Sequence, residues 1–212
     1  MKIIFEDNDI VVCVKPKGVV SQFDESKPNM ISLLSEQTGG EIYPVHRLDR
    51  ETEGVMVYAK NKKAAAGLSS AVTENKLEKR YLAVLKGIPE KQEDVLEDLL
   101  FRDRQKNKTY VVKRIRKGVR EASLEYRIRG TADGLSLADI LLHTGRTHQI
   151  RVQFASRNLP LSGDSVYGGG SGSLALFAYS LSFPHPSTKE TMSFRALPDS
   201  TAYPWNLFGD CL

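Results

Sequence analysis

Eight short apolar stretches, most of them ended by glycine, proline or asparagine, constrain this chain more than any other feature. They lie at residues 10–15, 54–60, 80–86, 109–116, 122–129, 135–142, 174–183 and 191–194. Runs of this length, rich in β-branched and aromatic residues and bounded by turn formers, read as strands. Only three segments favour helix. Residues 30–37 carry a short apolar cluster that stops at Gly39-Gly40. Asn61 is placed to cap the alanine-rich stretch KKAAAGLSSAVTEN. Ile150 and Phe154 stand four apart within residues 148–157, with Thr147 as the expected N-cap. Many strands and a few separate helices predict an α+β fold with a mixed, mostly antiparallel sheet and flanking helices.

A chain of 212 residues is long enough for one well-packed domain, and a single domain over 1–212 is expected. The hydrophobic fraction of 41% excludes a disordered or collagen-like chain. Cys13 and Cys211 lie near opposite ends, so they form neither a disulfide framework nor a metal-binding pair. No signal-peptide pattern opens the chain and no stretch nears the ~20 apolar residues of a membrane span. The expectation is a soluble, cytoplasmic protein without membrane contact.

Charge is unevenly spread. Residues 90–100 hold five acids and one base, whereas residues 102–120 hold nine bases and one acid. The whole chain carries only +4. Such a basic run binds phosphates by releasing counterions. It is equally compatible with a solvated hairpin edge protected by charge.

Two polar clusters sit where loops meet regular elements, the usual place for binding and catalytic groups. The first is HRLDRETEG at residues 46–54 and the second HTGRTHQIR at 143–151. His143 and His148 are five apart with no acid between them, unlike the helical zinc spacing, so no metal is expected. No G-x-S-x-G elbow, Walker-type loop or dinucleotide fingerprint is present. Gly168-Gly169-Gly170 reads as a flexible turn. What stands out is one acid among cations. Asp49 has Arg47 and Arg50 beside it, and a nearby arginine keeps a carboxylate ionised. An ionised, desolvated carboxylate serves as nucleophile or general base. A loop salt bridge is the plainer alternative for such a pair.

HRLDRETEGVMVYAK resembles the catalytic signature of the RluA/RluD-type RNA pseudouridine synthases, H-R-L-D-x-x-T-S-G followed by an apolar strand. EKRYLAVLKG is similar to that family's K-x-Y-x-A-x-V-x-G strand. HTGRTHQIRVQFASRNLPLSGDSVYGG resembles its T-G-R-T-H-Q-I-R-V-H and G-D-x-x-Y-G blocks, and LFAYSLSFPHPST its C-terminal block. Residues 7–20 match its usual opening. The likeness covers roughly residues 5–195 in the expected order.

The resemblance implies roles. Asp49 matches the essential aspartate, Tyr81 the active-site tyrosine, and Arg151 the arginine that pairs with the aspartate. Arg47 matches an arginine that displaces the target base. His46, Arg146 and His148 are candidate RNA contacts or loop braces. The partner implied is structured RNA, a ribosomal or transfer RNA stem-loop, with no cofactor. The expected architecture is two sub-domains sharing one long, bent sheet, with the site in a central cleft. The likeness starts within the first ten residues, so RNA choice is expected to rest on the catalytic domain, without an accessory S4-like domain, in a monomer.

Three positions depart from the pattern. Glu53 replaces the usual serine, Gln153 a histidine, and Phe177 a second histidine. Lys15 and Lys17 flank a Pro-Gly turn that is expected to be solvated, with RNA contact as the alternative. Two other functions fit less well. A non-catalytic RNA-binding protein would not need Asp49, Tyr81 and Arg151. A carboxylate-dependent glycoside or nucleoside hydrolase would need a second acid opposite Asp49.

Overall fold

The structure, a computed structural model, describes residues 1–212. Its elements run β1 (Lys2–Glu6), β2 (Ile10–Lys15), α1 (Met30–Thr38), β3 (Tyr43–Pro44), β4 (Glu53–Ala59) and α2 (Lys62–Thr73). There follow β5 (Glu78–Lys86), β6 (Glu93–Asp103), β7 (Lys108–Val112), β8 (Val119–Ala132), β9 (Leu135–Leu142) and α3 (Gln149–Ala155). The chain ends with β10 (Leu176–Pro184), β11 (Thr191–Arg195) and a 3₁₀ segment, Trp205–Cys211. This is the α+β fold, rich in antiparallel pairs, that the apolar pattern predicts. No helix is long and apolar enough to cross a membrane. The chain divides into two compact units, residues 1–79 with 178–197, and residues 80–177 with 198–212.

In the first unit β1, β2, β4 and β10 lie in that order, with β3 on β4 and β11 on β10. β2 runs antiparallel to β4 from Ile10 opposite Ala59 to Lys15 opposite Gly54. Ile10, Val11, Val12 and Cys13 are all buried, which is why β2 reads as a continuous apolar run rather than an alternating one. Burial pushes the Cys13 thiol up to about 12, so it packs as an inert apolar group. The buried faces of β2 and β4 meet Ala64 and Leu68 of α2 and Leu181 and Phe183 of β10 in one core. Asn61 caps α2 as the sequence predicts, its side-chain oxygen accepting the Ala64 N–H at 2.8 Å.

In the second unit the strands lie in the order β5, β9, β8, β6, β7, each antiparallel to its neighbour. Three strands, β1, the two-residue β3 and β6, fall outside the apolar stretches singled out above. β6 is hidden because its inward positions alternate leucine with acid: Leu96 and Leu100 are buried, and Asp98 lies between them. Asp98 is satisfied there by Gln153 Nε2 at 2.8 Å and by Arg157 at 2.8 Å. A period-two pattern written partly in paired carboxylates does not register as hydrophobic alternation. The strand expected over 109–116 stops at Val112, where a basic turn begins. Helix α3 is capped not at Thr147 but at His148, in the left-handed region at φ 55° and without a side-chain cap bond.

Candidate active site

The loop of residues 45–52 joins β3 to β4 in the first unit. It is anchored by groups distant in sequence. The Ser21 hydroxyl donates to the Leu48 carbonyl at 2.8 Å and accepts the Leu48 N–H at 3.0 Å. The Tyr58 hydroxyl in turn donates to the Ser21 carbonyl at 3.0 Å. On the far side of Asp49, Lys15 Nζ donates to the Arg50 carbonyl at 3.1 Å, and to those of Pro16 and Val19 at 2.8 and 2.7 Å. Gly18 N–H donates to the same Arg50 carbonyl at 2.9 Å, and Thr52 N–H to the Asp49 carbonyl at 3.0 Å. Asp49 is thus a half-buried carboxylate whose backbone is held from both sides.

Lys15 is therefore not in a solvated turn: it is fully buried. Burial lowers its pKa to about 8, opposed by the carboxylates of Glu51, Asp49 and Glu53. A buried ammonium is tolerated because its three donors all reach carbonyl oxygens. The cation of this loop is thus Lys15 rather than the two flanking arginines. Arg50 pairs with Glu51 at 2.7 Å, and Arg47 is exposed and forms no ion pair. Glu53, the departure at the start of β4, adds its charge to the field at Lys15 and Lys17.

Gly54 is required by its surroundings. At φ 135° a Cβ would stand 2.3 Å from the Ala178 carbonyl oxygen in β10. His46 precedes the loop, and its Nε2 accepts the Val57 N–H at 3.1 Å while Nδ1 is buried without a partner. Burial, reinforced by the Lys79 charge, pushes its pKa down to about 3. His46 is therefore neutral in the fold but titrates near 6.5 when unfolded. Between those values the unfolded chain binds a proton that the folded chain does not, so stability is full above pH 6.5 and falls as pH drops toward 3. His46→Gln, which keeps an acceptor at the ring-nitrogen position, should flatten the loss of melting temperature between pH 7 and pH 4.5. An unchanged slope would assign the acid sensitivity to other groups.

The second cluster lies wholly in the second unit. Tyr81 is on β5 opposite Ile140 of β9 and is 5% exposed. Arg151 is on α3, also 5% exposed, and its guanidinium makes a two-pronged pair with Asp164 at 2.7 and 2.8 Å. Asp164 Oδ1 also accepts the N–H groups of Val166 and Tyr167 at 3.0 and 3.2 Å. Its backbone closes the loop, the Gly169 N–H donating to the Asp164 carbonyl at 2.7 Å. A Cβ on Gly169 would lie 1.7 Å from the Leu161 carbonyl oxygen. Within the triple glycine, Gly169 is therefore close-packed, whereas Gly168 and Gly170 on either side are exposed.

Three further residues complete this cluster. Tyr167 sets its ring 5.2 Å from the Arg151 guanidinium carbon and shares its hydroxyl with His148 Nδ1 at 3.0 Å. Arg146 is exposed and donates through Nε to the Glu121 carbonyl at 2.9 Å. Gln149 braces the turn, its Oε1 accepting from the Thr144 hydroxyl and the Arg146 N–H at 2.8 and 3.0 Å.

Of the seven residues singled out from sequence, His46, Arg47 and Asp49 belong to the first unit, and Tyr81, Arg146, His148 and Arg151 to the second. Sequence reasoning missed Lys15, Ser21, Asp164 and Tyr167. The only sequence signal for Asp164 and Tyr167 was their place in the S-G-D-S-V-Y block.

Comparison with known proteins identifies the family. The sequence pattern of a family described as RNA pseudouridylate synthase matches residues 9–156. An uncharacterised RNA pseudouridine synthase of Aquifex aeolicus is 37% identical over 97% of this chain and 72% of its own length. The ribosomal large subunit pseudouridine synthase D of Borreliella burgdorferi is 34% identical over 81% of this chain and 56% of its own. The structure of human RNA pseudouridylate synthase domain containing 4 superposes with a TM-score of 0.78 at 22% identity, covering 93% of this chain and 89% of that one, a likeness of fold. The chain spans between about half and three quarters of the length of the two bacterial relatives. On the strength of the matched residues, which include both polar clusters, this chain belongs to the RNA pseudouridylate synthase family.

Proposed function

We propose that this RNA pseudouridine synthase acts on uridines of structured ribosomal or transfer RNA, with Asp49 as the reacting carboxylate. The observation that carries the reading is the Asp49 loop. A half-buried carboxylate is fixed through its backbone by Ser21 and Lys15, with the exposed, unpaired Arg47 two residues away. Pseudouridine formation breaks the N1–C1′ bond, turns the uracil and joins C5 to C1′. The C5 proton leaves, N1 gains one, and no electrons are exchanged. Asp49 either attacks the sugar or base directly or assists a glycal intermediate. Tyr81 offers the uracil a flat face and a hydroxyl that helps remove the C5 proton, and Arg151, oriented by Asp164, is the third catalytic residue.

The target atoms are out of reach in a stacked helix, so the nucleotide must be flipped out at a cost of a few kcal/mol. Arg47 fills the gap it leaves, since guanidinium planes stack well on unpaired bases. Arg146 contacts the RNA from the second cluster. His46 and His148, engaged with Val57 and Tyr167, hold their loops in place.

The test is tritium release from RNA carrying uridine tritiated at C5, using total RNA from cells lacking this gene. Release requires the new bond at C5. Wild-type protein is expected to release tritium to a plateau set by the number of target sites. Tyr81→Phe is expected to slow release by about 10²- to 10⁴-fold, the range for loss of a general base, with RNA affinity unchanged. Full activity in Tyr81→Phe would leave Tyr81 only the stacking role. Tight binding without release by wild type on any RNA would favour the non-catalytic RNA-binding alternative.

A further inference from the structure

The basic segment of residues 102–120 belongs to neither polar cluster. It forms the end of β6, a tight turn, the edge strand β7, a second turn and the start of β8. None of its nine bases forms an ion pair, whereas arginines and lysines elsewhere in the same unit pair with Asp94, Asp98, Asp139 and Asp164. Charges that merely protect an edge strand belong on the strand itself. Here β7 carries one, Lys108, and the turn after it carries four: Lys113, Arg114, Arg116 and Lys117.

That turn is held in shape. The Arg116 guanidinium lies 4.9 Å from the Phe101 ring centre, and the Val119 N–H donates to the Arg116 carbonyl at 3.0 Å. At its centre Ile115 is 74% exposed, an apolar side chain with two bases on either side.

The segment is also fastened to the helix that carries Arg151. Leu100 and Ala122 form a small core with Val152, and Val111 and Tyr167 pack against it. The Thr109 N–H donates to the Tyr167 hydroxyl at 2.8 Å, and the Thr109 hydroxyl to the Thr147 carbonyl at 2.9 Å. Lys108 Nζ lies 5.1 Å from the centre of the Tyr167 ring, which also meets Arg151. The base of the segment is packed and hydrogen-bonded, and the basic turn beyond it is exposed.

We propose that residues 102–120 are an arm that grips the sugar–phosphate backbone of structured RNA, and that Ile115 at its turn enters the base stack as a wedge. The inference rests on the RNA pseudouridine synthase reading and specifies how its substrate is held. Unpaired bases gain affinity by displacing counterions from phosphates. An apolar side chain set among bases is the arrangement by which nucleic-acid-bending proteins part adjacent base steps. An arm whose base is already packed before binding loses less conformational freedom on contact.

Two variants test it: Lys113→Gln/Arg114→Gln/Lys117→Gln together, and Ile115→Ser alone. All four side chains are exposed, and melting temperature confirms that the fold is retained. Affinity for purified ribosomal RNA and for unmodified transfer RNA is measured across a salt series, beside tritium release. The triple variant should lower the slope of log K against log salt by roughly two to three, one step per lost phosphate contact. Ile115→Ser should leave the slope intact and raise KM for tritium release by about tenfold, the scale of one lost stacking contact. An unchanged salt slope in the triple variant overturns the arm, and an unchanged KM in Ile115→Ser overturns the wedge. Wild-type protein that releases no tritium, yet shows the slope change between variants, would refute the catalytic reading and leave the arm standing.

Discussion

Asp49→Asn is expected to abolish tritium release from C5-labelled RNA, by at least ~10⁴-fold, the scale on which loss of a catalytic nucleophile is felt in other enzymes. The loop backbone should keep its fold, which a melting curve checks. The loop around Asp49 is held by Ser21 on Leu48, by Lys15 and Gly18 on the Arg50 carbonyl, and by Thr52 on the Asp49 carbonyl. Within the first unit none of these anchors uses the Asp49 carboxylate, and asparagine has almost the same shape. The variant therefore separates chemistry from folding. A residual rate within tenfold of wild type would show that another group attacks the uridine. Tight RNA binding with no release would place the defect at the chemical step.

Asp164→Ala is expected to have the largest effect on stability. Its carboxylate is fully buried against the Arg151 guanidinium and also accepts two backbone N–H groups. Removing one partner of a buried pair costs about 3–5 kcal/mol, because the other charge stays behind without its match. For a chain of this size that is a fall in melting temperature of roughly 10 °C. Catalysis should suffer as well, since Asp164 fixes the rotamer of Arg151. The double variant Asp164→Leu/Arg151→Met removes both charges and should regain much of the stability. It should remain as inactive as Arg151→Met alone. If the double variant melts no higher than Asp164→Ala, the loss lies in the Val166 and Tyr167 hydrogen bonds rather than in the stranded charge. Asp164→Asn, which keeps an acceptor for those N–H groups, then identifies the cause.

Lys15 and Asp164 show why part of the site escaped the sequence. Each is an ordinary residue in a short polar stretch, and its role depends on a partner far along the chain. Lys15 reaches the Arg50 carbonyl 35 positions away, and Ser21 reaches Leu48 27 positions away. Spacing rules work over one helical turn or one strand pair, and neither bond falls within that range. Arg47 and Arg50 show the converse. Sequence adjacency suggested that they flank Asp49 as its counter-ions, yet Arg50 turns to Glu51 and Arg47 forms no ion pair. Neighbours in a tight loop diverge because successive side chains leave the backbone in different directions.

The sequence by itself determined the local elements and the chemistry on offer. Short apolar runs between turn formers specified most of the strands, Asn61 specified the start of α2, and two ordered polar clusters specified the family and its aspartate. These signals are local, so they can be read one segment at a time. The tertiary structure decided which polar groups are buried and what satisfies them. It converted Lys15 from a surface residue into the buried clamp of the Asp49 loop. It paired Arg151 with Asp164, and it let β6 carry Asp98 on its inner face by supplying Gln153 and Arg157. A charge is affordable inside a protein only when partners converge on it, and only the folded chain brings those partners together.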